Sequence, residues 1–311
     1  MSTDTVKPKY AWCSLVMLGD NYVPGALVAA YSLKKVETKY PVLCMVTYDV
    51  TADARESLLK CFDGLVEIPY LEHTTIPMRS HKQRDIYGAW MNKSFTKWNV
   101  LNPELLPYEK VIFFDADMYV VKNIDHLFDI PGPAGTFSSP WAAPYVKNGY
   151  YNPYTDAKGG ELAHGAPVPN EMIKDGLRPQ TAMGFVWHAS LVLVMPNNII
   201  WAQYKKILNN KAPYGWKYCA SGFDEQVLAE LYLQAGVQMY NIHQMYNWII
   251  GKYDWIDEPA HVFQYYNKLS AKPWNVNRAT WDDLRAWWDF ADKLAAENAS
   301  LAKYFIEPPV S

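Results

Sequence analysis

The chain has 311 residues, a formal net charge of −3 and a pI near 6.2. Half of the residues are hydrophobic and 20% are charged, which excludes wholesale disorder and allows one large or two small domains. The acidic balance argues against a nucleic-acid partner. The N-terminus has no apolar signal segment, and the apolar runs Trp12–Leu18 and Leu191–Met195 are too short to span a bilayer. These features predict a cytoplasmic protein with free thiols and no transmembrane segment.

Strands and helices alternate from the first residues onward. Ala11–Leu18 predicts a buried strand, Tyr22–Val36 a helix and Pro41–Thr47 a second buried strand. Thr51 predicts the N-cap of the next helix, and Leu65–Ile68 predicts a third strand. This alternation is typical of a doubly wound, mostly parallel α/β sheet with helices on both faces.

The most informative feature follows a helix predicted over Met91–Leu101. Val111–Phe114 is a run of bulky apolar residues, typical of a central strand, and it is followed by Asp115 and Asp117. Carboxylates spaced in this way can converge on one point at the end of a strand, where ligands bind in open α/β sheets. A hard divalent cation would relieve their repulsion. The alternative is a pair of solvated aspartates that open a turn.

The second half of the chain contains an unusual segment, Ile130–Met183. It is dense in proline, glycine and tyrosine and has no long periodic pattern, which predicts an ordered functional loop. Regular structure is predicted again as a strand at His188–Met195 and helices at Pro196–Asn209, Phe223–Gln234 and Thr280–Tyr304. The apolar stripe of the last helix predicts a packing or dimer surface.

Several short motifs accompany the aspartate pair, and familiar alternatives are missing. There is no glycine-rich dinucleotide or P-loop fingerprint, no zinc-type Cys/His cluster and no serine-hydrolase elbow. Taken alone, each motif present could be a surface lysine, a helix-capping acid or a proline turn. In chain order they are the Asp20 to Leu33 opening with its Tyr-x-x-Gly-Ala, Thr96-Lys97, Asn123-Ile-Asp-His-Leu-Phe-Asp, Asp224-Glu225-Gln226 and Lys272-Pro-Trp.

This ordered set resembles the family 8 glycosyltransferases, which include glycogenin, galactinol synthase and bacterial lipopolysaccharide galactosyltransferases. The similarity covers most of residues 10–275. It implies a GT-A fold in one domain, residues 1–275, with an acceptor-side or lid insertion at 130–183. Residues 276–311 are then a C-terminal helical extension that packs on the domain or on a dimer partner.

The resemblance also implies an activity. The enzyme would transfer a hexosyl group from a UDP-sugar with retention of configuration. The reaction would depend on Mn²⁺ or, alternatively, on Mg²⁺. The acceptor would be a hydroxyl of a sugar, polyol, lipid or protein. Members of the family often form homodimers, so the resemblance also implies a homodimer. Two alternatives remain: a catalytically silent relative that binds carbohydrate or nucleotide sugar, and a glycogenin-like self-glycosylating protein with tyrosines near residue 150.

Position by position, the resemblance assigns Asp115 and Asp117 to the metal. The family usually provides a third ligand, a histidine, shortly before the lysine of Lys-Pro-Trp. His261 is the nearest upstream histidine but lies farther from Lys272 than expected, and Gln264 is closer to the expected place. A hard cation accepts an amide oxygen, so both residues are candidates, with His261 slightly favoured.

The remaining motif positions are assigned to the reacting carbon and to the donor. Glu225 or Asp224, followed by Gln226, would lie near the anomeric carbon. The donor would be bound by Leu15, Leu18, Asp20, Tyr22, Arg84, Lys97, Ala116, His188 and Lys272. His188-Ala-Ser replaces the Asn-Ser-Gly that the family usually has before this strand, so the identity of the sugar does not follow from the resemblance.

Overall fold

The computed structural model describes residues 9–75, 81, 84–85, 88–137, 162–177, 187–210, 223–250, 260–265, 272–280 and 282–309. In these ranges the strands are β1 (Tyr10–Val16), β2 (Val42–Val46), β3 (Gly64–Glu67), β4 (Lys110–Phe114), β5 (Met118–Val120), β6 (Ala134–Phe137), β7 (Trp187–Val194), β8 (Tyr240–Asn241), β9 (Trp248–Ile249) and β10 (Val262–Gln264). The α-helices are α1 (Val23–Lys35), α2 (Ala52–Leu58), α3 (Asn170–Leu177), α4 (Asn198–Leu208), α5 (Phe223–Gln234) and α6 (Asp282–Glu297). Short 3₁₀ helices lie at Met91–Leu101, Asp125–Asp129, Gln244–Tyr246, Pro273–Asn275 and Ala299–Tyr304.

The main sheet has seven strands in the order β3-β2-β1-β4-β7-β6-β8. Its first four strands are mutually parallel, β7 runs antiparallel to both of its neighbours, and β8 is parallel to β6. The predicted mostly parallel, doubly wound sheet is therefore confirmed. A small second sheet has the order β5-β10-β9. Because β4 ends at Phe114 and β5 begins at Met118, the aspartate pair lies in the turn that joins the two sheets.

The central strand β4 divides the core into two layers. Val111 and Phe113 belong to the cluster that contains the Met91–Leu101 helix and α5, whereas Ile112 and Phe114 belong to the cluster that contains α1 and α6. All four side chains are buried because alternate residues of a strand face opposite sides, and both sides are covered. The continuous apolar run that predicted this strand is thus the consequence of helices on both faces.

A helix lies at Met91–Leu101, as predicted, and it is 3₁₀ over its whole length. Its side chains are hydrogen-bonded to neighbouring segments, which decide its geometry. The Trp98 indole N–H donates to the Asp224 carbonyl (2.9 Å), and the Asn99 amide donates to the Pro69 carbonyl (3.0 Å). These tertiary contacts connect the helix to α5 and to the segment after β3, so they outweigh the preference of an isolated segment for the α geometry.

The predicted helix Thr280–Tyr304 is divided at Asn298 into α6 and a 3₁₀ turn. Its apolar stripe is buried within the chain itself, with Leu284, Trp287, Trp288, Ala291 and Leu294 in the same core cluster as α1. The stripe therefore packs on the core of the chain itself. None of the helices in the described part of the chain has the length and apolarity that a bilayer crossing needs.

The Asn123 to Asp129 motif joins the end of α1 to the edge of the core. The Asp125 carboxylate accepts hydrogen bonds from the Thr38 hydroxyl (2.6 Å), the Lys39 N–H (2.8 Å) and the Trp12 indole (3.3 Å). The Asn123 amide donates to the carbonyl of Val36, the C-cap residue of α1 (3.0 Å). This motif therefore has a structural role, because it satisfies backbone and side-chain groups that the end of α1 leaves unpaired.

Replacing Asp125 with alanine is expected to lower the free energy of unfolding by about 2–3 kcal/mol, because the Thr38 hydroxyl and the Lys39 N–H would lose their carboxylate acceptor. Urea denaturation monitored by circular dichroism measures the change. Asp129→Ala is the matched control, since Asp129 is exposed on the same 3₁₀ helix, and it should change stability by less than about 0.5 kcal/mol. Equal losses in the two variants would contradict the structural role of Asp125.

Candidate active site

The aspartate turn is held by backbone hydrogen bonds to both sheets. The Asp115 N–H donates to the Ser190 carbonyl of β7 (2.8 Å), and the Asp117 carbonyl accepts from the N–H of Tyr265, just after β10 (2.9 Å). The Asp117 side chain is only 5% exposed, and its Oδ1 is buried with no hydrogen-bond partner among the described residues. The two predicted carboxylates are therefore fixed at the carboxyl end of β4, as the sequence indicated.

Two lysines neutralise these aspartates. Lys272 Nζ is hydrogen-bonded to Asp117 Oδ2, and Lys97 Nζ lies 3.6 Å from Asp115 Oδ1 and 3.1 Å from Asp224 Oδ2. The side chains of Lys97 and Lys272 are 15% and 14% exposed. The 3₁₀ helix, the aspartate turn, α5 and the Lys-Pro-Trp segment thus bring their charged residues to one place, although they are far apart in sequence.

Burial and charge act against each other in this cluster. Burial raises the pKa of Asp115 to about 6; Lys97 opposes the increase and Asp117 adds to it. Burial alone would lower the pKa of Lys97, but Asp115, Asp224 and Glu225 together outweigh it, and the pKa is raised. The pKa of Lys272 is raised for the same reason, with Asp117 as its main partner. Both ammonium groups therefore stay charged near neutral pH.

The first turn of α5 carries the predicted acidic residues. Glu225 Oε1 accepts the N–H of Ala189 in β7 (2.9 Å), whereas Oε2 is buried without a hydrogen-bond partner among the described residues. Burial, followed by the charge of Asp224, raises the pKa of Glu225 to about 8. Gln226 is buried on the same turn. Since Lys97 contacts both Asp115 and Asp224, the start of α5 and the aspartate turn lie within the reach of one ammonium group.

The raised pKa of Glu225 makes stability depend on pH. The folded protein keeps a proton that the unfolded chain releases near pH 4.5, so the contribution of Glu225 is fully present below about pH 4.5 and is lost as pH rises through about 8. The wild type should therefore lose more stability than Glu225→Gln over this range, by up to about 1.4 kcal/mol per pH unit.

Urea denaturation of both proteins across this pH range measures the difference. Glu56→Gln is the matched control, because Glu56 is exposed on α2, and it should follow the wild-type curve. Parallel curves for wild type and Glu225→Gln would contradict the raised pKa.

Because Gly25 of α1 has no side chain, the Lys-Pro-Trp segment and the aspartate turn can both pack closely against this helix. A Cβ atom at Gly25 would lie 2.3 Å from Trp274 Cζ3 and 2.5 Å from the Ala116 carbonyl oxygen. The Tyr22 ring meets Trp274 edge to face, with centroids 5.5 Å apart, and Lys272 Nζ lies 6.0 Å from the Tyr22 centroid. Tyr22 is 39% exposed, so part of an aromatic residue beside the charged cluster is open to solvent.

The carboxyl end of β1 has an uncommon backbone. Leu15 is half-buried in β1, and Leu18 has a φ of 62°, a left-handed conformation that a leucine rarely adopts. The Leu18 N–H donates to the Tyr70 hydroxyl (2.9 Å), which itself donates to the Asp49 carboxylate (2.8 Å). Tyr70 and Asp49 were not predicted. The sequence could have indicated them, because Asp49 follows β2 and Tyr70 follows β3, and the two strands end at the same edge of the sheet.

Three residues that were predicted to bind the sugar donor lie outside the aspartate turn, each in a different segment of the chain. The Asp20 carboxylate accepts from the Thr51 N–H (3.0 Å) and hydroxyl (2.6 Å), so it joins the turn before α1 to the N-terminus of α2. Thr51 is the N-cap of α2, as predicted. Arg84 is exposed on a short described segment, and its role in binding the donor stays a prediction. His188 is buried in β7 next to Ala189, the residue whose N–H binds Glu225.

The register of the small sheet distinguishes the two candidates for the third metal ligand. Gln264 pairs with Met118, adjacent to Asp117, and its Oε1 is buried with no hydrogen-bond partner among the described residues. The His261 carbonyl accepts from the Val121 N–H, and its ring lies against Tyr246. Three residues of a strand span about 10 Å, so the structure places Gln264, and not His261, beside the aspartate turn.

The residues around the turn fit a hard divalent cation that shares its coordination with a ligand. No group of three His, Cys, Asp or Glu side chains in the described ranges is arranged to hold a metal. The available donors are instead carboxylate and amide oxygens, including the unpartnered Oδ1 of Asp117 and Oε1 of Gln264. Small hard cations are commonly bound by one or two carboxylates together with substrate phosphates, and this donor set matches that pattern.

Comparison with known proteins shows which family part of the chain resembles. Residues 13–139 match the model of the family described as glycosyl transferase family 8. The match covers less than half of the chain, and it shows that this part of the chain is similar to that family. The matched segment contains most of β1 and all of α1, β2, β4 and the aspartate turn, and the resemblance found in the sequence is confirmed.

Two kinds of relative extend the match. Uncharacterized protein R707 of Acanthamoeba polyphaga mimivirus is 26% identical over 273 residues, 86% of this chain and 83% of its own length. Galactinol synthase 3 of Arabidopsis thaliana is 32% identical over 123 residues, and Glycogenin-1 of Caenorhabditis elegans is 32% identical over 121 residues. These matches cover 40% and 39% of this chain but only 34% and 27% of the two relatives.

A solved structure agrees with the fold over nearly the whole chain. The crystal structure of the galactosyltransferase LgtC in complex with donor and acceptor sugar analogs superposes with a TM-score of 0.57 at 13% identity. The superposition covers 94% of this chain and 99% of LgtC. The predicted GT-A type fold is therefore confirmed, and the family 8 match supports glycosyltransferase activity.

Proposed function

We propose that this protein is a retaining glycosyltransferase that transfers a hexosyl group from a UDP-sugar to a hydroxyl acceptor with the help of Mn²⁺ or Mg²⁺. The observation that carries the proposal is the pair of aspartates at the carboxyl end of β4, one buried and one partly exposed, each beside a mostly buried lysine. Carboxylates and ammonium groups held side by side suit a ligand that combines a cation with a diphosphate.

Each side of the cluster would bind a different part of the donor. Lys272 would meet the diphosphate as a point charge, and the exposed ring of Tyr22 would stack on the uracil. Asp115 and Asp117, with Gln264 as a candidate third ligand, would hold the divalent cation. When bound, the cation supplies Lewis acidity that neutralises the charge developing on the departing diphosphate.

The acidic turn of α5 would face the reacting sugar. A carboxyl group with a pKa of about 8 holds its proton near neutral pH, so Glu225 is better suited to donate a hydrogen bond to the sugar than to attack it. This favours attack of the acceptor on the face from which UDP leaves. The bond from the anomeric carbon to the phosphate oxygen breaks, the bond to the acceptor oxygen forms, and the acceptor proton passes to the leaving phosphate.

Domain organisation and assembly belong to the same proposal. The burial of α6 in the core that contains α1 supports one catalytic domain over residues 1–275, with residues 276–311 packed on it. The acceptor side is assigned to the insertion at 130–183. Of this insertion the structure describes residues 130–137 and 162–177, and the tyrosines at 150, 151 and 154 lie outside the described residues. A homodimer stays a prediction that light scattering would measure.

Release of UDP from a panel of UDP-sugars, with Mn²⁺ and a mixture of sugar and polyol acceptors, tests the function. We expect turnover with at least one UDP-hexose, and loss of turnover when the metal is chelated. Tight binding of UDP without turnover of any donor would support the alternative, a silent relative that binds nucleotide sugar. Mass gain of the protein itself, without added acceptor, would instead support self-glycosylation.

A further inference from the structure

The aspartates of the proposed cation site already have positively charged partners. Asp117 is bound by Lys272, and Asp115 shares Lys97 with Asp224. Asp117 and Lys272 are only 5% and 14% exposed, whereas Asp115 is 29% exposed. Away from water, a carboxylate and an ammonium group interact far more strongly than at the surface, so the pair of Asp117 with Lys272 is the stronger one. A divalent cation that binds the aspartates must therefore weaken contacts that the lysines already make.

We infer that Lys272 is an internal counterion that keeps the affinity of Asp117 for a divalent cation low until a diphosphate binds. In this arrangement the ammonium group of Lys272 competes with the cation for Asp117. A diphosphate provides new oxygens for Lys272, so the lysine transfers from the carboxylate to the phosphate and the carboxylate becomes available to the cation. The inference rests on the proposed function, because it takes the cation and the diphosphate from that proposal.

The position of Lys272 suits this exchange. Trp274, two residues later, packs on Gly25 and on the edge of Tyr22, which fixes the backbone of the Lys-Pro-Trp segment. The lysine side chain has four flexible carbons and a head that makes contacts in any direction, so its ammonium group can change partners while the backbone stays fixed. Tyr22 lies beneath the head, 6.0 Å from Nζ, next to the face proposed to bind uracil.

The inference predicts that removing a lysine from the site strengthens the binding of free Mn²⁺. If Lys272 only bound phosphate, replacing it would weaken UDP binding and leave the affinity for free Mn²⁺ unchanged. If it is a counterion, Lys272→Gln should bind Mn²⁺ more tightly in the absence of nucleotide, by about tenfold or more, because Asp117 loses its competitor. UDP binding in the presence of Mn²⁺ should become weaker. By linkage, the factor by which UDP raises the affinity for Mn²⁺ should therefore decrease.

Titration of the full-length protein with Mn²⁺, followed by the electron paramagnetic resonance of the free ion, measures these affinities with and without UDP. Lys303→Gln is the matched control, because it removes a lysine that pairs with Asp53 at the surface, and it should bind Mn²⁺ like the wild type. Lys272→Met serves as a second neutral variant if Lys272→Gln does not fold, as judged by circular dichroism.

Unchanged or weaker binding of Mn²⁺ alone in the folded neutral variants would overturn the inference. So would the absence of detectable Mn²⁺ binding in every protein, with or without UDP. The titration is independent of turnover. Tighter Mn²⁺ binding by the variants together with no turnover of any UDP-sugar by the wild type would support the counterion role and reject the transferase proposal.

Discussion

Asp117→Asn is expected to lower the rate of metal-dependent UDP release from a UDP-sugar by about 10³-fold or more, a loss of about 4 kcal/mol of transition-state stabilisation. Asparagine has the size of aspartate but lacks the negative charge that a hard cation requires. Asp115→Asn is expected to have the same effect, since Asp115 is the other proposed carboxylate ligand. Steady-state assays at saturating Mn²⁺ measure both changes, and full activity in either variant would contradict the metal assignment.

The loss of activity has to be separated from a loss of structure. Asp117→Asn leaves the buried ammonium group of Lys272 without its carboxylate partner, which we expect to lower stability by about 3 kcal/mol without unfolding the protein. The double variant Asp117→Asn, Lys272→Gln removes both charges and should recover much of this stability while remaining inactive. Asp53→Asn, at a surface pair with Lys303, should stay active and stable. Recovery of activity in the double variant would indicate that Asp117 acts only through folding.

Long apolar runs made the main sheet predictable from the sequence. β1, β2, β4 and β7 are buried on both faces, so most of their residues are apolar and the strands stand out from the flanking helices. The strands of the small sheet have two or three residues each, too short for any period to show. The pairing of β5 with β10 joins residues more than a hundred positions apart in sequence, which no local pattern contains.

The same distinction explains which site residues could be predicted. Asp115 and Asp117 follow directly from the strand that precedes them, because the direction of the chain at the end of β4 decides where they lie. The choice between His261 and Gln264 depends on the register of β10 against β5, and the sequence favoured the residue that the register carries away from the turn. Lys97 was predicted from its motif, but its contacts with both Asp115 and Asp224 result from the 3₁₀ helix.

Gly25 shows how strongly the site depends on close backbone contact, and Gly25→Ala is expected to lower the free energy of unfolding by about 3 kcal/mol. The added Cβ would lie 2.5 Å from the Ala116 carbonyl oxygen and 2.3 Å from the Trp274 ring. A carbonyl between two fixed aspartates cannot move aside as the end of a flexible side chain would. The displacement should therefore reach Asp117 through Ala116 and Lys272 through Trp274, so UDP affinity in the presence of Mn²⁺ should fall as well.

Gly64→Ala is the matched control for this change. A Cβ at Gly64, in β3, would lie 3.4 Å from Leu43 Cδ2, an ordinary contact, so stability should change by less than about 1 kcal/mol and UDP affinity should not change. Urea denaturation and calorimetric titration with UDP compare the two variants. If Gly25→Ala lost stability but kept the UDP affinity of the wild type, the packing of α1 against Trp274 would support the fold without positioning the donor site. Because the backbone of Ala116 lies between the two aspartates, we expect both properties to change together.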